Sequence, residues 1–147
     1  MIRIQLGVMS AAFSLTWALS LVASNAAGPG TLEACSRVIP YTIEEPAGGV
    51  PADAKAFVGA WVGYWNNTCS ALVVQNVDTN GTASVLYLFA YNPASSVAKV
   101  TNAKVMGKKL SFGGSRATVE FTLVGPDSLS GLHSGSYGST TGTFSRK

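Results

Sequence analysis

The sequence predicts an all-β domain, a small antiparallel meander barrel of seven to eight strands with a β-sandwich as the alternative. Three observations carry that prediction. From Phe57 onward apolar residues recur with period two rather than 3.6. Turn-forming groups, Asn66-Asn67-Thr68, Asp78-Thr79-Asn80-Gly81, Asn92-Pro93 and Gly125-Pro126-Asp127, break the alternation at the short spacing of antiparallel strands. After the N-terminal leader, no stretch keeps helical periodicity for three turns.

The leader comes first. Arg3 supplies a positive charge, Leu6 to Ala23 is an apolar run interrupted only by Ser, Thr and Gly, and Ser24, Asn25, Ala26 and Ala27 are small or polar. That order is a secretory signal peptide over residues 1–26, cut after Ala26. The alternative is an uncleaved membrane anchor, but a run of about 18 residues is a short bilayer span, and Ser10, Ser14, Thr16 and Ser20 dilute it further. A lipid anchor on Cys35 is disfavoured by Glu33 and by Pro29-Gly30, which separate the cysteine from the apolar run. The expected location is secreted or periplasmic, with the membrane-anchored form as alternative and no span remaining after cleavage.

Loss of Arg3 leaves nine of the ten basic groups against seven acidic ones, a balance that serves solubility and gives no footprint for nucleic acid. The Lys108-Lys109 pair beside Gly107 reads as a solvated hairpin tip.

Residues 27–56 form a Pro/Gly-rich arm. Gly28-Pro29-Gly30, Pro40, Pro46-Ala47-Gly48-Gly49 and Pro51 break regular structure repeatedly, so the expectation is a tether or wrapping arm with one short edge strand at Arg37 to Ile43. Val38, Ile39, Tyr41 and Ile43 imply that part of the arm packs on the domain. One helical turn is expected from Pro51 to Phe57.

Residues 57–147 form the barrel. Phe57, Gly59, Trp61, Gly63 and Trp65 share one face of the first strand, and small residues alternating with large ones suit the inside of a tightly curved barrel. Ala71 to Val77 is the second strand, and Thr82 to Tyr91 the third, with Val85, Tyr87, Phe89 and Tyr91 on one face. The Asn80-Gly81 step between them signals a tight hairpin. Val97 to Val105, Leu110 to Phe112, Ala117 to Leu123, Leu129 to His133 and Thr140 to Arg146 complete the series, with Ser134 to Ser139 read as a loop.

An exported destination allows Cys35 and Cys69 to pair, closing a loop of about 35 residues for roughly 3 to 4 kcal/mol in the chain-entropy account. Two buried free thiols are the alternative. A metal site is not expected, because the two cysteines and His133 lack paired ligand spacing.

The pattern Gly59-x-Trp61-x-Gly63-x-Trp65, followed by Leu72-Val73-Val74 and Gly81-x-Ala83-x-Val85-x-Tyr87, resembles a small exported bacterial β domain often fused to hydrolases. Ala117-x-Val119-x-Phe121-x-Leu123, Asp127-x-Leu129-x-Gly131 and Thr143-Phe144-Ser145-Arg146 continue the likeness. It implies a barrel-like fold and no agreed activity. Gly59-Ala60-Trp61 is also similar to the first strand of calycins, the lipocalin and avidin-like barrels. That weaker resemblance implies a calycin-like barrel with Trp61 near one end; biotin contacts do not carry over.

No reaction motif stands out. Gly113-Gly114-Ser115-Arg116-Ala117 falls one residue short of a nucleophile elbow, and a strand rather than the required helix is expected after it. His133 has no acid and nucleophile placed with it. Glu120, within a strand, is expected to face solvent, so paired carboxylates are lacking. The sequence therefore reads as non-enzymatic and without a cofactor: an exported binding or accessory module, with a small-molecule or carbohydrate ligand on Trp61, Trp65, Tyr87 and Tyr91 at the barrel mouth. Core filling competes for the same aromatics and is favoured by the shortness of the barrel. The alternative function is a structural or envelope protein-interaction domain, and a small hydrolase using Ser115 or His133 comes third.

Overall fold

The computed structural model describes residues 26–147, so the expected signal peptide lies outside the described residues except for Ala26. Eight strands, β3 (Gly59–Trp65), β4 (Thr68–Val77), β5 (Thr82–Phe89), β6 (Ala98–Met106), β7 (Lys109–Gly113), β8 (Ala117–Gly125), β9 (Ser128–Gly135) and β10 (Gly138–Arg146), form a closed antiparallel barrel. Each strand pairs with its sequence neighbours, and β10 returns to pair with β3, Phe144 opposite Gly63 and Arg146 opposite Trp61. Closure leaves no open edge, and the sandwich alternative is excluded.

The inward face is the one the alternation marks. Trp61, Leu72, Val85, Leu110, Phe121, Leu129 and Phe144 are buried along it. Gly63, Gly131 and Gly142 also face inward because rings occupy the volume their side chains would take. A Cβ on Gly63 would stand 2.6 Å from the Phe144 ring, and one on Gly131 would stand 2.5 Å from the Trp65 indole.

The arm packs on the barrel rather than hanging as a tether, and its second strand has the expected bounds. It folds as a hairpin, β1 (Gly28–Ala34) and β2 (Arg37–Ile43), which forms a sheet of its own. Its prolines are tolerated because a two-stranded ribbon consists only of edge strands. The tip residues Cys35 and Ser36 both take left-handed conformations, φ 54° and 58°, as a two-residue hairpin turn demands. Leu32, Ala34, Ile39 and Ile43 are buried with the outward face of β4, Ala71 and Val73. Burying such an aliphatic side chain is worth about 1.5–3 kcal/mol, and this second layer explains why β4 is apolar on both faces.

Cys35 and Cys69 are joined in a disulfide, with Cα atoms 5.5 Å apart. At the far end of the hairpin the Glu44 amide donates to the Gln75 carbonyl at 2.9 Å, and Gln75 Nε2 donates to the Thr42 carbonyl at 3.2 Å. A short helix, α1 (Ala52–Lys55), follows as expected.

Two turns differ from expectation. Only Gly81 of the Asn80-Gly81 pair has positive φ, 75°, because Asp78 closes a four-residue turn by accepting from the Asn80 and Thr82 amides at 2.8 Å. The presumed loop at Ser134 to Ser139 is mostly strand: Gly138 pairs with Gly135 and Ser139 with Ser134. Backbone pairing needs no bulky side chain, so a Ser/Gly-rich composition hides it. Glu120 does face outward, where its carboxylate meets Lys109 Nζ at 2.7 Å, an exposed pair of small energetic weight.

Candidate functional site

Strand direction sorts the barrel into two ends. At the first lie the start of β3, the turns at Asp78–Gly81, Gly107–Lys108 and Pro126–Asp127, and the end of β10. Here α1 acts as a plug, with Ala54, Phe57 and Val50 buried beneath it. Trp61 has no exposure at all, and its indole Nε1 donates to the Phe57 carbonyl at 2.8 Å. The Arg146 guanidinium stacks 4.0 Å from the Trp61 ring centroid.

Arg146 also donates to the Val58 carbonyl at 2.9 Å, the Ala56 carbonyl at 2.6 Å and Asp127 Oδ1 at 3.1 Å. Burial lowers its pKa while Asp127 pulls the other way, and an arginine stays charged regardless. One side chain thus ties the last strand to the segment leading into the first. The Trp61 indole and the Arg146 guanidinium at this end are both engaged in holding it together.

The second end holds the turns at Asn66–Asn67, Gly114–Arg116 and Ser136–Tyr137, the Tyr91–Val97 loop, and the disulfide. Beneath it runs a buried chain of hydrogen bonds. Trp65 Nε1 donates to the Tyr87 hydroxyl at 2.9 Å, Tyr87 bonds to Ser70, and Ser70 Oγ donates to the Leu88 carbonyl at 2.7 Å. Burial raises the Tyr87 phenol above its ordinary value, opposed by the bonds from Ser70 and Trp65.

Above that chain the interior opens into a cleft of about 710 Å³, within the range of small-molecule sites. Phe89, His133 and Thr140 form its inner wall, and Arg116, Tyr137 and Ser139 its rim. The Phe89 and His133 rings are stacked, 10° apart in orientation with centroids at 6.1 Å. Trp65 supports His133 from behind, edge-on at 6.1 Å. Tyr91 extends the row outward, its ring 5.7 Å from Phe89.

Of the aromatics expected at a mouth, the structure brings Trp65, Tyr87 and Tyr91 to this end and places Trp61 at the plugged one. Trp65 and Tyr87 sit behind the cleft, and neither lines it. Tyr91 is 69% exposed. Ser115 lies in the exposed turn before β8, a strand, so the strand-to-helix elbow is absent.

Phe89, His133 and Arg116 take the positions nearest the cleft. Period two on β9 puts His133 on the face of Leu129 and Gly131, which the sequence could have shown; Arg116 reaches the rim only through the β7–β8 turn. Other clefts lie among the described residues. One of about 660 Å³ lies between the hairpin and the barrel wall, lined by Tyr41, Gln75 and Lys99, and one of about 430 Å³ lies between α1 and neighbouring turns. Neither gathers aromatic rings around a depression in the barrel interior.

No family model, curated protein or solved structure matches this chain. What the mouth can hold therefore rests on its own side chains. Among the described residues no group of three or more His, Cys, Asp or Glu comes together for a metal, and no helix is long and apolar enough to cross a membrane. The disulfide points to an oxidising compartment, extracellular or periplasmic.

Proposed function

We propose that the protein is an exported, non-enzymatic binding module that holds one small ring-bearing molecule, apolar or sugar-like, in the mouth of a calycin-like barrel. The observation that carries this reading is the cleft over the Phe89–His133 stack. Stacked rings offer a flat apolar face to a ring, and Thr140, paired with His133 on the same face, supplies a hydroxyl beside it. Trp65 and Tyr87 act from behind, holding His133 in place and fixing the floor. Gly59-Ala60-Trp61 at the plugged end supports the calycin-like description, and the disulfide supports export.

Fluorescence titration tests the reading, because Trp65 lies against His133 whereas Trp61 is sealed at the other end. Ring compounds and short sugars are expected to shift the emission, with the response kept in Trp61→Phe and lost in Trp65→Phe. A panel of apolar, aromatic and carbohydrate compounds that moves neither the emission nor the NMR resonances of Phe89, His133 and Thr140 would sink it.

A further inference from the structure

The charges are distributed unevenly between the ends. Of the seven carboxylates, Glu44 and Glu45 follow β2 where it leaves the barrel beside Gln75, Asp53 is in α1, and Asp78 and Asp127 are in turns of the plugged end. Glu120 sits outside the wall against Lys109. Glu33 is on the outer hairpin, opposite Val38. No carboxylate lines the mouth cleft, whereas Arg116 does.

The Arg116 guanidinium is exposed and has no hydrogen bond or ion pair among the described residues, unlike Arg146 and Arg37. Arg37, which flanks the same end, donates to the Pro93 carbonyl. Thr140 pairs with His133 on the cleft's face, while the Ser139 hydroxyl is paired with Ser134 at 3.1 Å on the other face. The cleft thus combines an apolar ring face, the Thr140 hydroxyl and one uncommitted fork of donors at its lip.

Resting on the binding reading above, we propose that the mouth selects a ring-bearing carboxylate, its ring on Phe89 and His133 and its carboxylate on Arg116. A guanidinium meets a carboxylate through two parallel hydrogen bonds, a geometry an ammonium cannot reproduce. A partly enclosed site without opposing carboxylates also concentrates anions in preference to neutral or cationic compounds. Since Arg116 lies at the lip, part of the attraction is screened by salt.

The test compares two compounds of one shape, 2-naphthylacetate and its neutral amide, by calorimetry and NMR on the disulfide-bonded protein. The carboxylate is expected to bind about tenfold more tightly than the amide, as one charge-assisted contact allows. Arg116→Gln should remove that advantage without weakening amide binding, and Lys108→Gln, in a turn of the plugged end, should leave it in place. Raising the salt concentration should narrow the gap in the wild type and in Lys108→Gln.

Equal affinity for the two compounds, or a preference that survives in Arg116→Gln, overturns the selection for carboxylates and leaves the ring-binding mouth standing. Failure of both compounds to perturb Phe89, His133 or Thr140 overturns both.

Discussion

Two tryptophans four residues apart on one strand meet opposite surroundings. Trp61 is enclosed on every side, by the plug, by its own bond to Phe57 and by the Arg146 guanidinium over its face. Trp65 is also buried, but it stands one side chain below open solvent, with a hydrogen-bond chain on one flank and His133 on the other. Identical chemistry in identical register thus gives a fastening at one end and a floor at the other. The difference is made by what covers each end: a helix and the last strand's arginine over Trp61, and turns with the Tyr91–Val97 loop around Trp65.

The sharpest way to break the contrast is Trp61→Ala. Loss of a fully buried aromatic typically costs about 3–5 kcal/mol, and here it also leaves Arg146 without its stacking partner. Denaturant unfolding should show a correspondingly lower midpoint.

Next comes the disulfide. Cys35→Ala with Cys69→Ala should cost roughly 2–5 kcal/mol, and resonances of the hairpin and of the Tyr91–Val97 loop should shift more than those of α1. An effect spread evenly over both ends would deny the bridge its local role.

The smallest change is Tyr87→Phe, expected to cost about 1–3 kcal/mol because the Trp65 N–H loses its buried acceptor. It also carries a pH signature. A phenol raised by burial above 10.0 binds its proton more tightly in the folded chain than in the unfolded one. The associated stability is whole below pH 10 and falls as pH rises through the folded value. Urea unfolding from pH 9 to 11 should show a shallower alkaline decline in Tyr87→Phe than in the wild type.

The barrel was legible because its signal is local. Period two along β3, β5 and β8 marks the inward face, and the turn residues punctuate it at the right intervals. Of the hairpin, only its second strand, Arg37–Ile43, was legible; Pro29 and its flanking glycines hid the first, since proline argues against a strand unless its edge is known to be unpaired. The doubly apolar β4 was the available clue: Ala71 and Val73 required a cover that the barrel itself does not supply.

The candidate site was legible in part. Aromatics named from the third strand do reach the mouth end, but the period-two face cannot say at which height along the barrel a ring sits. Trp61 and Trp65 share a face and differ by two steps of the strand, which is the distance between plug and mouth. Arg116 and His133 reach one cleft through the β8–β9 pairing, with Ala117 opposite Gly135 and Val119 opposite His133, and that register is set by the whole sheet.

The hairpin has a mechanical side as well. It doubles the barrel wall over β4, is bolted to that strand at Cys69, and reaches the neighbouring loop through Arg37 and Pro93. On the far side, β7 to β9 stand as a single layer. The rim is therefore splinted on one half and a single layer on the other, so the Asn66 and Pro93 side is expected to resist widening more than the Arg116 and Tyr137 turns.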